Sequence, residues 1–131
     1  LRISALASSP LGILLVSGVH DRALTAFSMA ACGAAIGRPV VLFASNQGCR
    51  ALMEDWSRLD DVGRDAVIRA RGVTGFGDMR EAARETGVRL LVCETGLKAE
   101  ALEGLPLMDG VSVAGIATFL EAVGAGQIIS L

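Results

Sequence analysis

The 131-residue sequence predicts an α/β domain built on a parallel sheet with helices on both faces. That fold class rests on two observations: five short apolar runs, and helical patterns that alternate with them. The runs are "GILLVSG" (12–18), "PVVLFAS" (39–45), "VRLLVCE" (88–94), "VSVAG" (111–115) and "QIISL" (127–131). They are nearly continuous in aliphatic residues rather than alternating, as strands covered on both faces read. Strand order is not encoded in them.

The helical patterns follow in order. Residues 21–36 carry Leu24, Phe27, Ala31 and Ala35 at helical spacing, with Asp21 placed as N-cap and Gly37 as the stop before Pro39. From Asn46, a second cap, the residues Cys49, Leu52, Met53 and Trp56 mark the apolar stripe of another helix. Further helices are expected over 79–87, 98–105 and 117–126. The stretch 57–78 breaks the rhythm: it is richer in charge and glycine, with room for a short helix over 63–71, and reads as a mobile excursion over one rim, a potential lid. Residues 1–9 read as a loose tail. The whole, 1–131, has the length of one domain with a self-sufficient core.

Composition narrows the function classes. Apolar residues make up 52% of the chain, yet Trp56 and four phenylalanines are its only aromatics. This aliphatic mass suits close helix-on-sheet packing and a buried contact between copies, so a homo-oligomer is expected. Twelve basic and fourteen acidic residues nearly cancel without forming blocks, and the isoelectric point is about 5.3. Direct nucleic-acid binding is disfavoured, because it needs a basic stripe, and a polybasic membrane patch is missing. Cys32, Cys49 and Cys93 show no Cys-x-x-Cys spacing; with His20 as the lone histidine they make too few ligands for a zinc site. No metal is expected, and free thiols favour a reducing compartment. The run "ILLV" is too short for a secretory or membrane segment, which reads as a cytoplasmic protein.

In open parallel sheets ligands gather outside the carboxyl ends of the strands. That rule selects Ser17, Gly18, His20 and Asp21 after the first strand, Ser45, Asn46 and Cys49 after the second, Cys93, Glu94 and Thr95 after the third, and Gly115 and Thr118 after the fourth. Cys93 heads the set, since it ends a strand and precedes a helix whose N–H groups favour a thiolate; such settings lower a cysteine pKa from about 8.5 towards roughly 3.5–7.5. Glu94 opposes this if it faces the sulfur. Equally, a cysteine ending a strand is a good packing residue. Cys49 falls on the apolar face of its helix, and Cys32, eight residues after Leu24, is expected to pack. His20 is a base or proton donor in one reading and a solvated loop residue in the other; Asp21 is explained as a cap. "GVTGFG" does not match a dinucleotide loop. Gly33 and Gly37 permit close approach of a helix to the sheet, and "SGVHD" has the makings of an anion cradle.

The stretches "LLVSGVHDRALTAFSMAACGAAIGRPVVLFAS", "AARETGVRLLVCETG" and "DGVSVAGIATFLEAVGAGQIISL" resemble the DsrE/DsrF-like sulfur-relay proteins over residues 12–56 and 79–131. The resemblance implies a three-layer α/β/α sandwich with a five-stranded parallel sheet, homo- or hetero-oligomers, and sulfur carried as a cysteine persulfide, with Cys93 at the sulfur-bearing position. After that cysteine the sequence departs from the subgroup it most resembles, reading "ETGLKAEALEGL" in place of a Met-rich, Gly-containing stretch. The expected function is a sulfur carrier or sulfurtransferase that needs no cofactor and exchanges sulfur with donor and acceptor proteins. The alternatives are a non-catalytic oligomeric module holding a small anion through Ser17, Gly18 and Asn46, and a Cys49–Cys93 redox pair.

Overall fold

A computed structural model describes residues 9–131. Five strands, β1 (Leu11–Leu15), β2 (Val40–Ala44), β3 (Arg89–Cys93), β4 (Val111–Ala114) and β5 (Gln127–Ser130), form one sheet in the order β4-β3-β2-β1-β5. All neighbours run parallel. Five α-helices accompany them: α1 (His20–Ala35), α2 (Arg64–Ala70), α3 (Phe76–Glu85), α4 (Glu94–Ala99) and α5 (Ile116–Val123), with a 3₁₀ segment over Asn46–Leu52. The expected three-layer α/β/α sandwich with a five-stranded parallel sheet is what the chain forms.

The two covering layers are unequal. On one face α1 and α3 bury Ala23, Ala26, Phe27, Ala30, Phe76 and Ala83 against Ile13, Leu15, Leu42, Leu90 and Val92. Phe27 meets Phe76 edge-on at a centroid distance of 5.4 Å. On the other face α5 stands alone among the described residues, with Phe119 and Val123 over Val41, Phe43 and Leu91. Gly12 makes this seat: a Cβ there would lie 2.4 Å from Val123 Cγ2. One helix cannot cover five strands, so Ile128 of β5 and the outer residues Ile116 and Leu120 of α5 remain exposed. The apolar runs at 111–115 and 127–131 predict strands correctly, but not ones buried on both faces.

Several local expectations are corrected. Helix α1 starts one residue early, with Val19 rather than Asp21 as N-cap and no side-chain cap; Asp21 sits exposed in the first turn, 3.7 Å from the Arg64 guanidinium. The inward stripe is His20, Ala23, Ala26, Phe27, Ala30, Ala31 and Gly33. Leu24 is therefore only half-buried, Ala35 is exposed, and Cys32, expected to pack, faces solvent. Gly33 does lie close under β1 and β2, with Leu11 and Val40 methyls 3.1 and 3.2 Å from its missing Cβ, and Gly37 ends the helix at φ +92°.

The helix expected from Asn46 to Trp56 stops at Leu52. Met53 turns extended and bridges Leu107, and the buried Arg80 guanidinium donates to the carbonyls of Ala51, Met53 and Glu54. The fourth helix begins at Glu94, not 98, because Cys93 caps it; the left-handed Ala101 (φ +55°) closes the chain beyond it. Ser9, assigned to the tail, accepts a hydrogen bond from Arg38 through its carbonyl (2.9 Å); the remainder of that tail lies outside the described residues.

The stretch 57–78 contains α2 and is tied to the end of β1. Asp60 N–H donates to Gly18 O, and His20 N–H donates to Asp60 O, at 2.8 and 2.9 Å. Asp65, 4% exposed, lies 2.8 Å from His20 Nε2 and accepts the Phe76 N–H at 2.7 Å. Burial alone would raise the Asp65 carboxyl; the bonds from His20 and Phe76 outweigh it and hold the group below its ordinary range.

Candidate functional site

Parallel pairing of β3 with β2 and β4 carries Cys93 to the carboxyl rim of the sheet, opposite Ala114. There the chain turns directly into α4, and Cys93 takes the N-cap position normally filled by Ser, Thr, Asp or Asn. Its Sγ accepts the Gly96 N–H at 3.4 Å and lies 3.1 Å from Thr95 Oγ1. The residue is half-buried.

Gly96 is where three segments meet. A Cβ at this position would lie 2.6 Å from Cys49 Sγ, 3.0 Å from the Asn46 nitrogen and 3.3 Å from Cys93 Cβ. The missing side chain lets α4 drop into the rim and present its N–H to the sulfur. Cys49, from the 3₁₀ segment after β2, lies on the inner side of this junction. It is wholly buried, with Sγ 3.6 Å from Ala44 O. Burial, and then the neighbouring Cys93, push its thiol up to about 12, with the Cys93 backbone N–H acting in the opposite direction.

The other rim residues divide. Thr95 and Glu94 are exposed in the first turn of α4, and Thr95 touches the sulfur. His20 points inward, wholly buried, with Nε2 on Asp65 and Nδ1 without a hydrogen-bond partner. Gly18 is buried against Gln47, whose carbonyl would stand 2.8 Å from a Cβ there. Ser17 and Asn46 line a cavity of about 470 Å³ at the carboxyl ends of β1 and β5, joined by Arg22, Gln47 and Glu100. Arg50 fixes Glu100 at 2.9 Å and reaches Asp60 at 3.3 Å.

Sequence reasoning missed Gly96, Arg22, Gln47 and the Arg50–Glu100 pair. Gly96 had a local signal, lying three residues after the cysteine, where an N-capping side chain receives its hydrogen bond. Arg50 and Glu100 are fifty residues apart and had none. Among the described residues, no helix is long and apolar enough to cross a membrane.

No family model matches the chain. A curated relative, the uncharacterised protein YrkE of Bacillus subtilis (strain 168), is 23% identical over 147 aligned residues, covering 88% of this chain and 92% of YrkE. The crystal structure of the ychN protein from E. coli is similar at a TM-score of 0.65 and 12% identity, covering 95% of this chain and 99% of ychN. At that identity the likeness shows the fold alone: the chain shares the α/β fold of ychN.

Proposed function

We propose that this protein is a cytoplasmic sulfur carrier that holds sulfane sulfur on Cys93. The Cys93 thiolate attacks the terminal sulfur of a donor persulfide, a new S–S bond forms, and the donor leaves as a thiolate with the bonding pair. The resulting Cys93 persulfide then yields its outer sulfur to an acceptor thiol, returning Cys93 as a thiolate. No external oxidant or reductant enters, because the transferred atom keeps its oxidation level. The observation that carries this reading is the sulfur of Cys93 at a helix start, half-exposed and within reach of both the Gly96 N–H and the Thr95 hydroxyl. Both groups donate to a sulfur anion.

The test is intact-protein mass spectrometry after brief exposure to a sulfane-sulfur donor, with peptide mapping, on wild type and Cys93→Ala. One added sulfur on the Cys93 peptide, missing in the variant, is expected. No adduct, together with slow alkylation of Cys93, would overturn the carrier and favour a non-catalytic binding module.

Carriers of this kind need docking surfaces, and the thin side of the sandwich offers one for a second copy. Ile116, Leu120 and Ile128 are each 44–55% exposed on or beside α5. Homo-oligomerisation through this face predicts that Leu120→Glu lowers the mass found by sedimentation without loss of helical signal. An unchanged mass would remove α5 from the interface.

A further inference from the structure

Resting on the reading of Cys93 as a sulfur carrier, we propose that the rim cavity beside β1 and β5 seats a small carboxylate-bearing thiol or its persulfide, giving Cys93 a low-molecular-weight exchange partner. The cavity, about 470 Å³, falls within the range that holds small ligands. It opens at the strand carboxyl ends, where α/β sheets collect them.

Its chemistry favours an anion with a short apolar body. Two charged side chains line it, Arg22 and Glu100. Glu100 is occupied by Arg50, which approaches its Oε1 at 3.0 Å through Nε and 2.9 Å through a terminal nitrogen. Arg22 has no carboxylate within ion-pair distance among the described residues, so it is the cation left to meet a ligand charge. Ser17 Oγ already accepts the Val19 N–H, which leaves its hydroxyl hydrogen to donate. Gln47 and Asn46 add amide groups, and Val16 and Leu131 supply the apolar wall.

Position links the cavity to the sulfur. Asn46, on its wall, has its backbone nitrogen 3.0 Å from the point where a Gly96 Cβ would lie, and Cys93 Cβ is 3.3 Å from that same point. Asn46 is thus shared by the cavity wall and the junction that carries Cys93, so the Asn46 end of the cavity is the one that a ligand's sulfur would turn towards Cys93. The exchange balances as before: Cys93 sulfur bonds to the terminal sulfur of R–S–SH, the inner S–S bond breaks, and R–S⁻ departs with the electron pair.

The test compares two donors of similar size and opposite charge, 3-mercaptopropionate persulfide and cysteamine persulfide, at low salt. Initial rates of sulfur addition to Cys93 are read by mass spectrometry for wild type and Arg22→Glu. Arg22 is exposed, so the substitution spares the core. In parallel, amide shifts of Ser17 and Gln47 are followed on titration with 3-(methylthio)propionate, which binds but cannot transfer sulfur. Faster loading from the anionic donor in wild type, about tenfold slower in Arg22→Glu, with the cationic donor unslowed and the amide shifts lost, is the expected result. Equal loading by both donors in both proteins, with no amide shifts, would overturn the cavity assignment and leave the carrier standing. No loading from either donor, with amide shifts that depend on Arg22, would overturn the carrier and keep the cavity as an anion site.

Discussion

Cys49 and Cys93 stand at the same rim, on either side of Gly96, and differ in almost every property that governs a thiol. Cys93 ends a strand, caps a helix and remains half-open; Cys49 lies in the 3₁₀ segment, wholly buried, its thiol pushed up to about 12. The two sulfurs share one glycine and not one environment. Nearness to a rim does not make a thiol chemical; what decides is which hydrogen-bond donors meet the sulfur and whether water can. The contrast also counts against a redox pair, because attack on Cys93 would have to come from a sulfur that holds its proton tightly.

The sharpest way to break the contrast is to remove each sulfur in turn. Cys93→Ala is expected to abolish sulfur loading, and Cys49→Ala to retain it at a rate within about twofold of wild type, read by mass spectrometry. Loss in both would make Cys49 a participant. Next in size is reactivity: in the folded protein Cys49 should alkylate at least roughly a thousandfold slower at neutral pH than in denaturant, since three pKa units remove that much thiolate. Cys93 should label quickly in both, as a time course with iodoacetamide and peptide mapping will register. Comparable rates for the two folded thiols would refute the assignment of Cys49 as closed.

How far the sequence reveals this site depends on the range of the interactions. The β3 to α4 step was legible because an apolar run, a cysteine and a polar turn are consecutive. The five strands were legible for the same reason, their pattern being local. Coverage was not: the runs at 111–115 and 127–131 look like buried strands, but whether a second helix lies over them depends on topology. Cys32 was misplaced because the α1 stripe runs through small alanines, whose pattern shifts by one residue with little change in hydrophobic contrast. His20 and Asp65, 45 residues apart, and Arg80 with its carbonyls 26–29 residues away carry no sequence signature of partnership. Their partners become neighbours only after folding.

The junction itself can be strained. Gly96→Ala adds a methyl at 2.6 Å from Cys49 Sγ and 3.0 Å from the Asn46 backbone nitrogen, so α4 must shift. Overpacking of this kind costs about 1–3 kcal/mol, measurable as a lower urea midpoint at constant slope. The displaced Gly96 N–H should also slow loading on Cys93. Adding Cys49→Ala to Gly96→Ala removes the closest of the three contacts, so the double variant should cost less than the two single changes added together. Strict additivity would mean that the Asn46 and Cys93 contacts set the cost.

The smallest effect discriminates most finely, because the sequence contains no tyrosine and Lys98 as its single lysine. Few side chains that compete with a thiol in alkali are therefore present. A thiol near 9 in the unfolded chain and at about 12 in the folded one binds more protons folded than unfolded across that interval. Its contribution to stability is complete below pH 9 and is lost as pH rises through the folded value, at up to about 1.4 kcal/mol per pH unit. Cys49→Ala should start less stable, by the cost of a small cavity, yet fall less steeply in alkali, so the two stability curves converge above pH 9. Parallel curves for wild type and Cys49→Ala would mean that Cys49 ionises in place, and the difference between the two thiols would then lie in access to reagent rather than in protonation.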